Sequence, residues 1–391
     1  MTNKRGVQIA VRGAAVLGAL ALSGTALAAC GSNDKSGGDS TATGNTQVLN
    51  ITLSNKGCAP PKSEIPAGPT KFQIKNSGGT KVTEVELMQG GRILAEKENL
   101  ADSFSGSFTL NLKPGDYELY CPGAETERSP LKVTGEAASS SGSEAEQAAL
   151  TKAISDYRAY VQDEVNQLVT NTTALQAAID DGDVARAKKL YEPARLNYER
   201  IEPVAESFGD LDPRIDGRAE DFDSPEDFQG FHRIEMALWQ DNTTDGMSPI
   251  AAKLVADTES LKKLVATLDI DAAQIANGAT ELMNEVANSK VSGEEERYSH
   301  LDILDMAGNI QGSEKAFTLL QPALEMTNKA LATTVAQRFA EMNAAMEPYK
   351  AGDSYVLYNT LTADQVRELS RAVGALAEPL SEVAGAIVGK A

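Results

Sequence analysis

The apolar pattern of this 391-residue chain changes period once, and that change constrains the fold more than any other feature. Between residues 47 and 135, short stretches of alternating character, NITLS, KFQIKN, TEVELM, SFTLNL and YELYC, are separated by the turn signals PAGP, NSGG, QGG and KPGD. Short strands at regular spacing between such turns predict a small β-sandwich. A Ser/Gly/acid linker, EAASSSGSEAE, occupies residues 136–146. From 147 to 391 apolar residues recur at helical spacing, which predicts an all-α bundle of long helices. Pro193, Pro203 and Pro322 fall inside these helical patterns and should start, end or kink helices there.

The first 29 residues combine Lys4, Arg5 and Arg12 with an apolar run too short to span a bilayer, ending in small residues. They read as a secretory signal. Its last residues with the next, Leu27-Ala28-Ala29-Cys30, have the form of a bacterial lipobox, so Cys30 is expected to carry lipid. Residues 30–46 then serve as a flexible polar tether. The mature protein should hang from the outer face of a bacterial membrane. A formal net charge of −20 makes it a poor nucleic-acid binder.

Cys58 and Cys121 remain, both in the sandwich region. In an exported domain they read either as a disulfide staple or as thiolate ligands. The form LKPGDYELYC resembles the strand that delivers a cysteine to copper in copper-binding sandwiches. The region contains no histidine, which excludes an electron-transfer copper of the two-histidine type. Glu84 and Glu86, two apart on one strand face, could add oxygen ligands to the sulfurs. Such a set suits copper or iron better than calcium.

The stretch GFHRIEMALW, residues 230–239, holds one of two histidines in the chain. Ser224-Pro225-Glu226-Asp227 reads as a cap with proline at the first helical position, so a helix is expected to begin there. Phe231, Ile234 and Leu238 then form a core-facing stripe, with His232, Glu235 and Trp239 on the adjoining one. His232 and Glu235 can ligate a metal together or form a satisfied hydrogen-bonded pair, and two residues alone favour the pair. Nearby acids strengthen the metal reading: Glu199 and Glu202 in NYERIEPVAES, Asp212 and Asp216 in LDPRIDGRAEDFD, and Glu294, Glu295 and His300 in SGEEERYSHLD. Imidazole with several carboxylates is a hard, anionic set suited to iron. Neither the H-E-x-x-H pattern nor the inverted H-x-x-E-H pattern is met, since Met236 follows the glutamate, so peptidase chemistry is not supported by these residues.

Taken together, NKGC, TEVEL and PGDYELYC followed by GFHRIEMALW and GEEERYSH resemble the EfeO-type components of bacterial EfeUOB iron-uptake systems. The resemblance covers nearly the whole mature chain. It implies a multidomain protein, with a cupredoxin-like β-sandwich followed by an all-α bundle of the imelysin-like peptidase family. It implies a metal site at His232 and Glu235 supported by Glu199, Glu202, Asp216 and Glu295. In the sandwich it implies ligands at Cys58, Glu84 and Cys121, with Glu86 close by. The implied cargo is iron, with copper and zinc as competing metals. The implied partners are an EfeU-type permease and an EfeB-type haem peroxidase, and the implied role is binding rather than catalysis. An imelysin-type metallopeptidase and a surface binding module with a structural metal are the alternatives.

Overall fold

Strand β1, Gln47–Leu53, alternates inward Leu49, Ile51 and Leu53 with outward polar residues, and this period of two is what builds the first sheet. It pairs in parallel with β3, Gly68–Asn76, which pairs antiparallel with β6, Ser105–Leu112. Phe72 and Phe108 face one another in that register, their rings 4.9 Å apart. The second sheet has the order β2, β8, β7, β4, β5, formed by Glu64–Pro66, Arg128–Thr134, Gly115–Tyr120, Val85–Gln89 and Arg92–Lys97. The structure is a computed structural model that describes residues 46–136, 142–222, 224–288 and 290–388. The signal segment 1–29, Cys30, its tether up to residue 45 and linker residues 137–141 lie outside the described residues. Among the described residues no helix is long and apolar enough to cross a membrane.

Cys58 and Cys121 form a disulfide, with Cα atoms 6.3 Å apart. This corrects the thiolate reading of both residues. Both are buried, Cys58 in the loop after β1 and Cys121 directly after β7, so the bond ties the two sheets and leaves no sulfur for a metal.

The bundle comprises α1, Glu144–Asp180; α2, Val184–Glu199; α3, Leu211–Asp216; α4, Gly230–Glu235; α5, Ser248–Val265; α6, Ala272–Asn288; α7, Asp302–Met346; α8, Ala363–Leu380; and α9, Val383–Val388. Ser143 caps α1 by accepting from the Glu146 N–H, and Asp183 caps α2 by accepting from Arg186. The prolines act unequally. Pro203 opens a tight 3-10 turn at Glu202–Phe208, whereas Pro193 lies within α2 and Pro322 within α7, whose backbone breaks at Asn328.

The histidine helix starts later than its sequence suggests. Ser224–Asp227 forms a turn and α4 begins at Gly230, which has φ +74° and sits against the Ile215 carbonyl with no room for a Cβ. Its continuation, Met236–Gln240, widens into a π-turn.

The sandwich is docked on the bundle rather than strung from it, and the two form one compact unit. Lys97 at the end of β5 pairs with Glu281 of α6 at 2.6 Å, the Glu98 N–H donates to the same carboxylate, and Asn277 donates to the Thr109 carbonyl.

Candidate metal centre

Helix α4 and the π-turn that continues it are buried on almost all sides: Phe231, Ile234 and Leu238 are fully enclosed, and so, to within 2 %, are His232 and Glu235. A buried imidazole needs partners for both ring nitrogens. Nδ1 has one, lying 3.1 Å from Glu235 Oε2, while Glu235 Oε1 accepts from the backbone N–H groups of Tyr298 and Ser299 at 2.7 Å each. That carboxylate is therefore locked by the backbone and in turn fixes the ring. The natural consequence is a proton on Nδ1 and a lone pair on Nε2.

Nε2 is buried without any hydrogen-bond partner. It faces Asp216 Oδ1 at 3.4 Å and Glu295 Oε1 at 4.0 Å. One ligand atom from each of Asp216, His232 and Glu295 lies within 4.8 Å of the other two. Ligands about 2.1 Å from a shared ion stand roughly 3.0–3.4 Å apart, so a small inward movement of Glu295 closes the set. A buried Nε2 without a hydrogen-bond partner between two carboxylates, with a third carboxylate behind the ring, could serve as a metal ligand with its orienting partner. Glu235 thus acts behind the imidazole, although Glu235, Glu296 and Nδ1 also come within the same reach of one another.

Two buried cations hold the surrounding acids apart. Arg195 of α2 is fully enclosed and donates to Asp216, to Glu199 and, at 2.8 Å, to Asp305 Oδ2, while its Nε lies 3.1 Å from Glu296. Lys290, just after α6, is bonded to Glu202 and lies 3.5 Å from Glu199 and 3.6 Å from Glu295. Asn309 of α7 donates to both Glu199 and Glu202. Burial works against the Glu199 charge, but Arg195 and Lys290 outweigh it and hold its carboxyl at about 2. Burial and the neighbouring Glu199 push Glu202 the other way, well above the usual range. Glu296 is raised by burial and by Glu235 and Asp305, while accepting from Tyr191 and Ser299.

The residues expected from the sequence therefore separate into roles. Asp216, His232 and Glu295 converge on one point, Glu235 orients the ring, and Glu199 and Glu202 form the wall beyond Lys290. Glu294 is exposed beside Arg297, and His300 is not in the cluster. Arg195, Lys290, Glu296, Asp305 and Asn309 were not anticipated.

Beyond Glu202 lies a second acidic space. A cavity of about 250 Å³ opens between β5, the 202–208 turn and α6, lined by Glu84, Glu96, Glu98, Glu202, Glu206, Asp212, Glu281 and Glu285. In the sandwich, Glu84 and Glu86 meet Glu96 rather than sulfur, and Glu86 stands directly across the β4–β5 ladder from Glu96. Such opposed like charges are unfavourable unless one is protonated or a cation lies between them. Burial, with Glu86 beside it, raises Glu84 to about 8; burial, with Glu84 and Glu281, raises Glu98 to about 7; and burial, followed by Glu295 and Glu98 against the pull of Lys290, raises Glu285 to about 8.

These carboxyls keep protons in the folded state that the unfolded chain has released above its ordinary value of 4.5. Their contribution falls as pH rises from 4.5 through 7 and 8, while Glu199, depressed to about 2, remains ionised across that window. Metal-free protein should accordingly melt at a lower temperature at pH 8 than at pH 5. An equal or higher midpoint at pH 8 in scanning calorimetry would contradict this electrostatic description.

Two family models match the chain: imelysin over residues 153–383, and a cupredoxin-like domain over residues 19–129. The chain is also similar to proteins described as iron uptake system component EfeO from Escherichia coli strain K12, Shigella flexneri and Shigella sonnei. Each is 39% identical over 342 residues, covering 87% of this chain and 91% of the relative.

Proposed function

Since the chain belongs to the imelysin family, with the two-domain order of EfeO-type iron-uptake components, we propose that it captures iron outside the membrane and passes it to a membrane permease. In this reading iron is cargo, held by His232 Nε2, Asp216 and Glu295. The observation that carries the proposal is the buried, unpartnered Nε2 aimed at two carboxylates. Nitrogen with carboxylate oxygen, and no sulfur, suits iron among the metals considered and leaves copper and zinc as competitors.

A cargo site must survive being emptied. Arg195 and Lys290 offset part of the charge of the buried acids when no ion is present, which favours reversible loading over a metal required for folding. The space beside His232 has room for little more than a water, about 10 Å³, so a peptide has no place to lie against the centre. That favours binding over peptidase activity. Glu84 and Glu86 remain in the proposal as oxygen ligands of a sandwich site facing the acidic cavity, now with Glu96 in place of the sulfurs. In this proposal Cys30 lipidation holds the protein to the outer face of the cell membrane, beside an EfeU-type permease and an EfeB-type haem peroxidase.

Uptake of radiolabelled iron by cells that keep the permease but lack this chain is the direct test. Reintroducing the wild-type protein should restore uptake, and the His232→Ala protein, at equal abundance, should not. Full restoration by the variant would refute the assignment of His232 to the transported ion.

A further inference from the structure

Lys290 stands between the two acidic spaces. Its side chain is 3 % exposed, its ammonium is bonded to Glu202, which lines the cavity between sandwich and bundle, and it lies 3.6 Å from Glu295, a member of the His232 triad. Glu199 completes the surround at 3.5 Å. Arg195 differs from it in kind. A guanidinium makes directional bonds from a rigid fork, and Arg195 uses it to hold Glu199, Asp216 and Asp305 in place. The Lys290 ammonium is a point charge with a short bond to Glu202, a long one to Glu199 and a looser contact to Glu295, seated among three carboxylates as a small cation would be.

We infer that Lys290 is a charge-limiting residue: its ammonium holds the position of a second cation beside the His232 triad, so that this centre accepts a single metal ion. The inference rests on the triad being the cargo site. An ammonium this close to Glu295 opposes any ion ligated by that carboxylate, and it keeps Glu199 and Glu202 from serving as ligands. Its loss lowers the repulsion and leaves three carboxylates around a vacated cation position. By Coulomb's law in a partly buried setting, the change in affinity at the triad amounts to roughly tenfold or more.

Equilibrium dialysis of the metal-free protein against manganous ion, an oxygen-preferring probe, tests this. Lys290→Met is expected to bind one more equivalent per chain than wild type, with its first equivalent at least tenfold tighter, whereas Lys290→Arg should keep wild-type stoichiometry. Unchanged stoichiometry and affinity in a folded Lys290→Met protein would overturn the inference, as would an extra equivalent in Lys290→Arg. If Lys290→Met does not fold, the comparison passes to Glu202→Gln against Lys290→Met with Glu202→Gln, which removes one charge of each sign. The double variant should bind at least tenfold tighter than the single, and equal affinity overturns the inference. His232→Ala separates the two claims, since manganese binding indifferent to that change refutes the triad itself, whatever Lys290 does.

Discussion

In the His232→Ala protein, iron affinity is expected to fall at least a hundredfold. Among the described residues neither group of potential ligands around His232 includes His300, so no second imidazole is in place to replace the lost nitrogen. Changing only the partner behind the ring is expected to act more mildly. In Glu235→Gln the amide keeps the shape and can still meet Nδ1, but its NH₂ group can donate there and shift the ring proton to Nε2. Loss of such an orienting carboxylate costs about tenfold to a hundredfold in metal affinity. His232→Ala loses the buried hydrogen bond between Nδ1 and Glu235 Oε2 and should also lose about 1–3 kcal/mol of metal-free stability, whereas Glu235→Gln keeps a contact to the ring and should lose less. Calorimetric titration with ferrous iron, alongside melts of metal-free protein, separates the effects. Lowered stability with unaltered affinity in both would reduce the pair to a structural hydrogen bond.

The largest effect on stability is expected at Arg195. Its side chain has no exposure, its guanidinium is shared among Glu199, Asp216, Glu296 and Asp305, and it lies 5.2 Å over the Phe231 ring. Arg195→Met fills the volume but strands buried carboxylates, and removing one partner of a buried ion pair costs about 3–5 kcal/mol. The loss should be greater at pH 8 than at pH 5. Without the guanidinium the folded-state carboxyls hold protons more tightly than the unfolded chain does, so each step upward in pH costs stability. Added iron should restore part of it by replacing the missing positive charge. Urea denaturation at both pH values checks each statement, and a loss independent of pH would point to packing around Phe231 instead.

Much of the architecture could be read before any coordinates, because the change from period two to helical spacing separates strands from helices directly. The pairing of His232 with Glu235 could also be named, since one helical turn joins them, whereas the supporting acids Glu199, Glu202, Asp216 and Glu295 came as a set from the family resemblance. What stayed hidden depends on tertiary burial. Arg195 and Glu199 are four residues apart on a helix, a spacing equally suited to a solvated pair; only the convergence of α2, α4, α7 and the 290–299 segment buries them. In the run Glu294-Glu295-Glu296, spacing does not say that the first faces water while the others face His232. The start of α4 was misplaced because a good local cap at Ser224 competes with the close approach of Gly230 to Ile215, which sequence does not display. The two cysteines fitted bridge and ligand equally until their positions were known. The acidic cavity joins residues more than a hundred positions apart, and no local pattern encodes it.

X-ray absorption at the iron edge, recorded on protein loaded with one equivalent, tests the central claim most directly. The account predicts a first shell of oxygen with a single imidazole, no sulfur, and loss of the imidazole multiple scattering in His232→Ala. With only two histidines in the chain the assignment is unambiguous. A sulfur shell, or imidazole scattering that persists in the variant, would contradict it.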